Sequence, residues 1–256
     1  MTRFFVTPEE FQPDFIALTG ENAKHAKVLR LKNGEEVLVC DGQGRECLCT
    51  VSDVSDGQIG LVVKHRQNSE TEASVRVSVY MAFPKADKLE HVIQKATELG
   101  AYEIVAFLSA RCVSRPDDKS LKKKLERWQK IARSAAEQSG RGLIPRVEDV
   151  ISIDEAIERM THVPMSFVCY EKEENRTLAD LSVAEEISFL IGSEGGLADE
   201  ECTQWQRLGI PSVSLGERIL RTENAAAYVL PVLFYKSKNF KELILNFYSL
   251  SVTIKI

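Results

Sequence analysis

No stretch of the 256-residue chain is apolar for long enough to cross a bilayer. The longest uncharged run near the C-terminus, Ala225–Tyr235, falls short of the roughly 20 residues a spanning helix needs, and Pro231 interrupts it. The opening Met1–Glu10 has a three-residue apolar segment followed at once by acids, so no signal peptide is expected and the protein is read as cytoplasmic. Six cysteines (Cys40, Cys47, Cys49, Cys112, Cys169, Cys202) and four histidines (His25, His65, His91, His162) contain neither a C-x-x-C nor an H-x-x-x-H spacing. No metal site is therefore expected, and the thiols read as reduced and structural. Internal repeats, low-complexity tracts, the G-x-G-x-x-G dinucleotide fingerprint and the P-loop are all missing. What is present, 44% hydrophobic and 28% charged residues, belongs to a globular protein long enough for one large domain or two unequal ones.

The net charge of -5 argues against a nucleic-acid partner only as an average. Arg111 to Arg146 carries eleven basic and four acidic residues, net +7, and the other 220 residues carry -12. A localised basic segment suits phosphate binding, although a solvated helix face would look the same from the sequence alone.

Two periodicities divide the chain. In the first seventy residues, Val37–Cys40, Glu46–Val54 and Ile59–Val63 read as short strands separated by the turns Asp41-Gly42-Gln43-Gly44 and Ser55-Asp56-Gly57. That spacing predicts a small antiparallel barrel over 1–70, interrupted by a helix from Glu21 to Leu31 that Asn33-Gly34 caps. The polar stretch Arg66–Ser74 reads as a linker. From 75 to 240 strands and helices alternate: strands Val75–Phe83, Ile104–Leu108, Ser166–Tyr170, Ile187–Gly192 and Val213–Leu215, with helices Lys85–Leu99, Asp118–Ser139, Leu178–Ala184, Asp199–Leu208 and Glu223–Lys236. Alternation of this kind predicts an α/β domain with a parallel sheet covered on both faces.

Ligands of open parallel sheets bind at the carboxyl ends of the strands, which selects three loops. Leu190-Ile191-Gly192-Ser193-Glu194-Gly195-Gly196 places three glycines within five residues after an apolar strand, so that backbone groups can approach a ligand. Leu215-Gly216-Glu217-Arg218-Ile219-Leu220-Arg221-Thr222-Glu223 puts two arginines around an apolar pair, with Thr222 as a candidate helix cap. Ser109–Pro116 adds Arg111 and Arg115. Taken alone, the glycine loop could be a turn after a buried strand, and the second loop a short connection with Arg218 and Arg221 on the surface and Ile219 and Leu220 in the core.

Taken in order, these motifs resemble a known family. Leu-Ile-Gly-Ser-Glu-Gly-Gly-Leu and Ser-Leu-Gly-Glu-Arg-Ile-Leu-Arg-Thr-Glu-Asn-Ala-Ala are similar to the paired signature of the SPOUT RNA methyltransferases, and within them to the 16S ribosomal RNA uracil-N3 methyltransferases. Arg3-Phe4-Phe5, His25 to Leu31, Lys85 to Gly100, Trp128 to Ala132 and Glu137 to Arg141 extend the likeness over about residues 1–236. Two positions depart from it: the family usually has Pro where Ser193 stands, which would loosen a turn, and Thr where Asn224 stands. The tail 241–256 has no counterpart.

The resemblance implies a PUA-like barrel ahead of a SPOUT domain with a trefoil knot at about 187–236, a homodimer, S-adenosylmethionine as cofactor and 16S ribosomal RNA, free or within the small subunit, as substrate. Cofactor binding would fall to Leu190, Gly192, Glu194, Gly195, Gly196, Leu215, Gly216, Ile219 and Leu220, with Ile219 and Leu220 lining the adenine pocket. Arg221, Arg218 and Glu223 would act in the chemistry, and Arg3, Arg30, Arg111, Arg115, Lys123, Lys130 and Arg141 would contact RNA. A SPOUT enzyme for another RNA and a non-catalytic RNA-binding paralogue are the alternatives; an intact Gly192-x-Glu194-Gly195-Gly196 with Arg221 favours an enzyme.

Overall fold

The computed structural model describes the backbone of residues 1–253 and the side chains of all of these but 118 and 238–253. The chain forms two units, one of Met1–Glu72 with Arg133–Ile144, the other of Ala73–Ala132 with the rest from Pro145. The expected tail 241–256 lies outside the described side chains.

The first unit is built on a five-stranded sheet, β1 (Arg3–Phe5), β2 (Phe15–Thr19), β3 (Glu36–Cys40), β4 (Arg45–Ser55) and β5 (Gln58–Asn68), in the order β1-β3-β4-β5-β2. All neighbours are antiparallel except β1 and β3. Alternate residues point to one face, so Phe4, Ile16, Leu18, Val37, Val39, Cys47, Cys49, Val51 and Leu61 make one buried core. The predicted linker begins later than expected, because Arg66, Gln67 and Asn68 still pair with Cys47, Glu46 and Arg45. Helix α1 (Gly20–Val28) ends earlier. Arg30 N donates to Lys27 O and Leu31 N to Ala26 O, a Schellman closure with Arg30 in the left-handed region at φ 57°. Arg30 thus takes the cap expected of Gly34, which instead donates its N–H to Val51 O and opens β3. Arg133 Nη2 donates to Phe5 O at 2.7 Å, and Ala136 and Ile144 pack on Phe5 and Cys40.

The second unit carries seven parallel strands, β6 (Arg76–Ala82), β7 (Glu103–Leu108), β8 (Arg146–Val147), β9 (Ile151–Ser152), β10 (Met165–Cys169), β11 (Glu186–Ile191) and β12 (Ser212–Val213). Their order is β12-β10-β11-β6-β7-β8, with β9 also on β7. The helices are α2 (Lys88–Glu98), α3 (Asp118–Ser139), α4 (Ile153–Thr161), α5 (Asp199–Arg207) and α6 (Thr222–Thr253). Strand β11 is buried at every position after Glu186, as a strand flanked on both sides must be. From β6 the chain builds outward to β7 on one side, while β11, β10 and β12 fill the other. Direction of winding therefore reverses between β6 and β11, and the carboxyl ends flanking that point are where an open sheet leaves a crevice.

Three expectations change here. Helix α4 was not anticipated, although Ser152 accepts from Glu155 N as its cap and Ile153, Ala156, Ile157 and Met160 form its buried face. The expected helix Leu178–Ala184 is a single 3-10 turn, Leu178–Asp180. Leu181 returns to extended backbone, and Lys236 Nζ takes the carbonyls of Leu178, Ala179 and Leu181 at 2.9, 2.7 and 2.6 Å. Helix α2 starts at Lys88 rather than Lys85, since Ala86 sits in the left-handed region at φ 53°. No described helix is long and apolar enough to cross a membrane.

Candidate functional site

Every residue of the site belongs to the second unit. After β11 the chain makes a tight turn in which Gly196 N donates to Ser193 O at 2.9 Å. Its glycines pack closely on their neighbours. A Cβ on Gly192 would lie 3.1 Å from Leu197 Cγ, one on Gly195 would lie 3.2 Å from Arg111 Cβ, and one on Gly196, at φ +70°, would lie 2.5 Å from Glu171 Oε1. The loop after β7 closes on the same turn: Arg111 Nη1 donates to Gly195 O at 3.1 Å, and Ser193 Oγ is 3.3 Å from Arg111 O. Ser193 therefore ties two loops together, where the sequence had suggested a loosened turn. Glu201 fixes both ends of this assembly, because its buried carboxylate accepts from Ala110 N and from Ala198 N, each at 2.7 Å.

The loop after β12 joins through Thr222, whose hydroxyl donates to Gly192 O at 2.5 Å. Thr222 is the first residue of α6 and not its cap, so the bond is spent on holding loop to loop. Ahead of it Ile219 is 86% exposed, Leu215 and Leu220 are half-buried, and Arg218 and Arg221 are exposed. Gly216, at φ +110°, has open space where a Cβ would stand. Leu190 is fully buried in β11, so its side chain supports the loop from behind and only its backbone could meet a ligand. Among the described residues Arg221 makes no ion pair with Glu217 or Glu194; its charge acts on Glu223 and helps hold that carboxyl below its usual range.

Sequence reasoning passed over Lys88, six residues beyond the carboxyl end of β6. Its Nζ lies 3.1 Å from Glu194 Oε1 and 3.1 Å from Glu223 Oε2. Both contacts are ion pairs, and the Glu223 oxygen that Lys88 reaches is the enclosed one. Glu194 Oε1 also accepts from Lys85 N at 3.2 Å. Burial pushes both carboxyls up, but backbone N–H groups and Lys88 outweigh it, and both end below the ordinary glutamate value. Lys88 is correspondingly raised by its two carboxylates. Glu171 was missed as well, since its approach to Gly196 follows from the pairing of β10 with β11 and has no local signature.

The basic candidates separate by exposure. Arg30, Arg111, Arg115, Lys123 and Lys130 are exposed. Arg3 is not available to a phosphate: its side chain is 9% exposed and bonds Glu46 Oε2 at 2.6 Å and Cys40 Sγ at 2.9 Å. Arg141 is likewise internal, 5% exposed and paired with Glu72 at 2.7 Å. All six cysteines are buried free thiols, and burial raises Cys40 to about 12 despite the neighbouring Arg3. Among the described residues no group of three or more His, Cys, Asp or Glu is placed to hold a metal ion.

A parallel α/β sheet with three cross-tied loops at its carboxyl edge, in a chain that also carries a small β-rich unit, is matched by the family models of a two-domain RNA methyltransferase. Residues 71–233 match the RNA methyltransferase domain and residues 18–64 the RNA methyltransferase PUA domain. The ribosomal RNA small subunit methyltransferase E of Bacillus subtilis is 36% identical over 93% of this chain and 98% of its own, and that of Mycobacterium bovis 33% identical over 82% of each. The chain belongs to the ribosomal RNA small subunit methyltransferase E family. The Neisseria gonorrhoeae member, crystallised with S-adenosyl methionine, superposes with a TM-score of 0.82 at 28% identity, covering 91% of this chain and 96% of that one. A Legionella pneumophila methyltransferase in complex with bound SAM gives 0.81 at 29%, covering 91% and 97%.

Proposed function

We propose that the protein methylates N3 of a specific uridine in 16S ribosomal RNA, using S-adenosylmethionine bound at the carboxyl edge of the parallel sheet. The observation that carries this is the Thr222–Gly192 bond, which sets the Arg218–Glu223 turn against the glycine turn so that a cofactor held by one faces side chains carried by the other. The site's shape fits that cofactor. Gly216 has open space beside its backbone, Leu215, Ile219 and Leu220 offer apolar surface for a purine, and Glu194 and Glu171 border the glycine turn, whose Gly192, Gly195 and Gly196 pack closely on Leu197, Arg111 and Glu171. When bound, S-adenosylmethionine supplies a methyl group on a sulfonium whose carbon–sulfur electron pair departs with sulfur.

The chain's own task is to present N3 as a nucleophile. Positioning supplies much of the acceleration. As the N3 proton leaves, negative charge spreads onto the flanking base carbonyls, and we assign its stabilisation to the exposed Arg221, with Arg218 of the same loop as the second candidate. Glu223, held ionised, accepts the proton. N3 lies on the Watson–Crick edge, so the target base must be unpaired or splayed from its helix. Exposed Arg111, Arg115, Lys123 and Lys130 of the second unit, and Arg30 of the PUA-like unit, are assigned to RNA phosphates.

Segment 187–236 is read as the trefoil knot and α6 as the dimer helix. Tyr228 and Tyr235, 45% and 69% exposed and seven residues apart on one face, support the latter. Ribosomal RNA from a strain lacking the gene, digested and compared by mass spectrometry with the parent, tests the function. One missing 3-methyluridine in 16S RNA is expected; loss of a methyl from another base or another RNA would replace the assignment, and an unchanged profile would favour a non-catalytic binding protein.

A further inference from the structure

Lys88 stands where three elements meet. It is the first residue of α2, Glu194 sits in the turn after β11, and Glu223 lies in the first turn of α6. The ammonium reaches one oxygen of each carboxylate at 3.1 Å. On Glu223 it reaches the enclosed oxygen, and that side chain keeps 15% of its surface open. We propose that Lys88 is a positioning residue of the methyl-transfer site, gripping the inner oxygen of Glu223 so that this carboxylate stays charged and fixed while the same ammonium anchors the glycine turn through Glu194. The proposal rests on Glu223 as the proton acceptor.

The charges that face Glu223 are few. Lys88 comes from α2, Arg221 from the segment before α6, and Glu194, of like charge, from the turn after β11 shares the same ammonium. Removing Lys88 would leave two carboxylates beside a shared, vacated position, with burial and mutual repulsion both favouring protonation. Only Arg221 and the helix backbone would oppose that. A protonated Glu223 cannot accept the N3 proton, so the loss should be greatest in acid and relieved as pH rises.

Single-turnover methylation of 16S RNA between pH 4 and 9, for Lys88→Met, Lys88→Arg and Glu223→Gln, tests this together with a carbon-13 NMR titration, carried down to pH 3, of the Glu223 carboxyl in the protein without RNA. In Lys88→Met the acid limb of the rate profile and the Glu223 titration should both move up by about one pH unit or more. Lys88→Arg, which keeps the charge, should stay near wild type, and melting curves of all three confirm folding. Wild-type profile and titration in Lys88→Met would overturn the proposal even if Glu223→Gln were inactive, and so would a Lys88→Arg as displaced as Lys88→Met. A fully active Glu223→Gln would instead remove the proton-acceptor reading, and the role of Lys88 with it.

Discussion

Gly196 illustrates how a single residue sets this site. Its left-handed backbone, at φ +70°, excludes most side chains on conformational grounds, and the Glu171 carboxylate lies beside it as a movable neighbour. The need for glycine was readable from Gly192-Ser193-Glu194-Gly195-Gly196, because three glycines crowded behind an apolar strand mark a turn that side chains would obstruct. Glu171 was not readable, since only the β10–β11 pairing brings it there. Arg3 and Arg141 show the opposite error: an arginine in a basic or terminal stretch looks like an RNA ligand until its carboxylate partner, here Glu46 or Glu72, is located. Gly196→Val is expected to weaken S-adenosylmethionine binding at least tenfold by calorimetry, with the fold retained in a melting curve. Unchanged affinity would place the pocket elsewhere.

At the scale of elements, helix ends determine how the loops are held. Glu201 is the third residue of α5, and its two oxygens satisfy the Ala198 N–H at the helix start and the Ala110 N–H of the loop after β7. Truncation leaves two backbone donors without a charged acceptor. Each such bond is worth about 1.5–3 kcal/mol, so Glu201→Ala should cost roughly 3 kcal/mol or more in denaturant unfolding, and a loss under about 1 kcal/mol would contradict the assigned role. The acid at this position was visible in the sequence, but its reach into another loop was not. Amphipathic helices with strong stop signals, α2 and α3, were legible almost to their ends. Helix α4 was overlooked although Ser152, Glu155 and the Ile153–Met160 face announce it, and 178–184 was overread because leucine and alanine spacing cannot reveal that Lys236 takes the carbonyls a helix would have used.

For the whole molecule, the change from strand-rich to alternating patterning announced a β-rich unit and a parallel α/β unit, while strand order was beyond sequence reasoning because crossovers leave no local trace. The charge distribution has a similar status: the basic stretch is obvious, and its division into exposed Lys123 and Lys130 and internal Arg141 required coordinates. The central claim joins the three scales, for it requires a cofactor at the glycine turn, catalytic groups at Arg221 and Glu223, and a 16S ribosomal RNA substrate. Its most direct measurement is single-turnover transfer of a labelled methyl group from S-adenosylmethionine to 16S ribosomal RNA, by the intact protein and by Arg221→Ala, followed by digestion and identification of the labelled nucleoside. The account predicts label in 3-methyluridine at one position, a rate about 100-fold lower in Arg221→Ala by analogy with loss of one oxyanion donor, and cofactor affinity within a few-fold of wild type. Label in any other nucleoside, or a variant that melts early yet turns over at a near-normal rate, would contradict it.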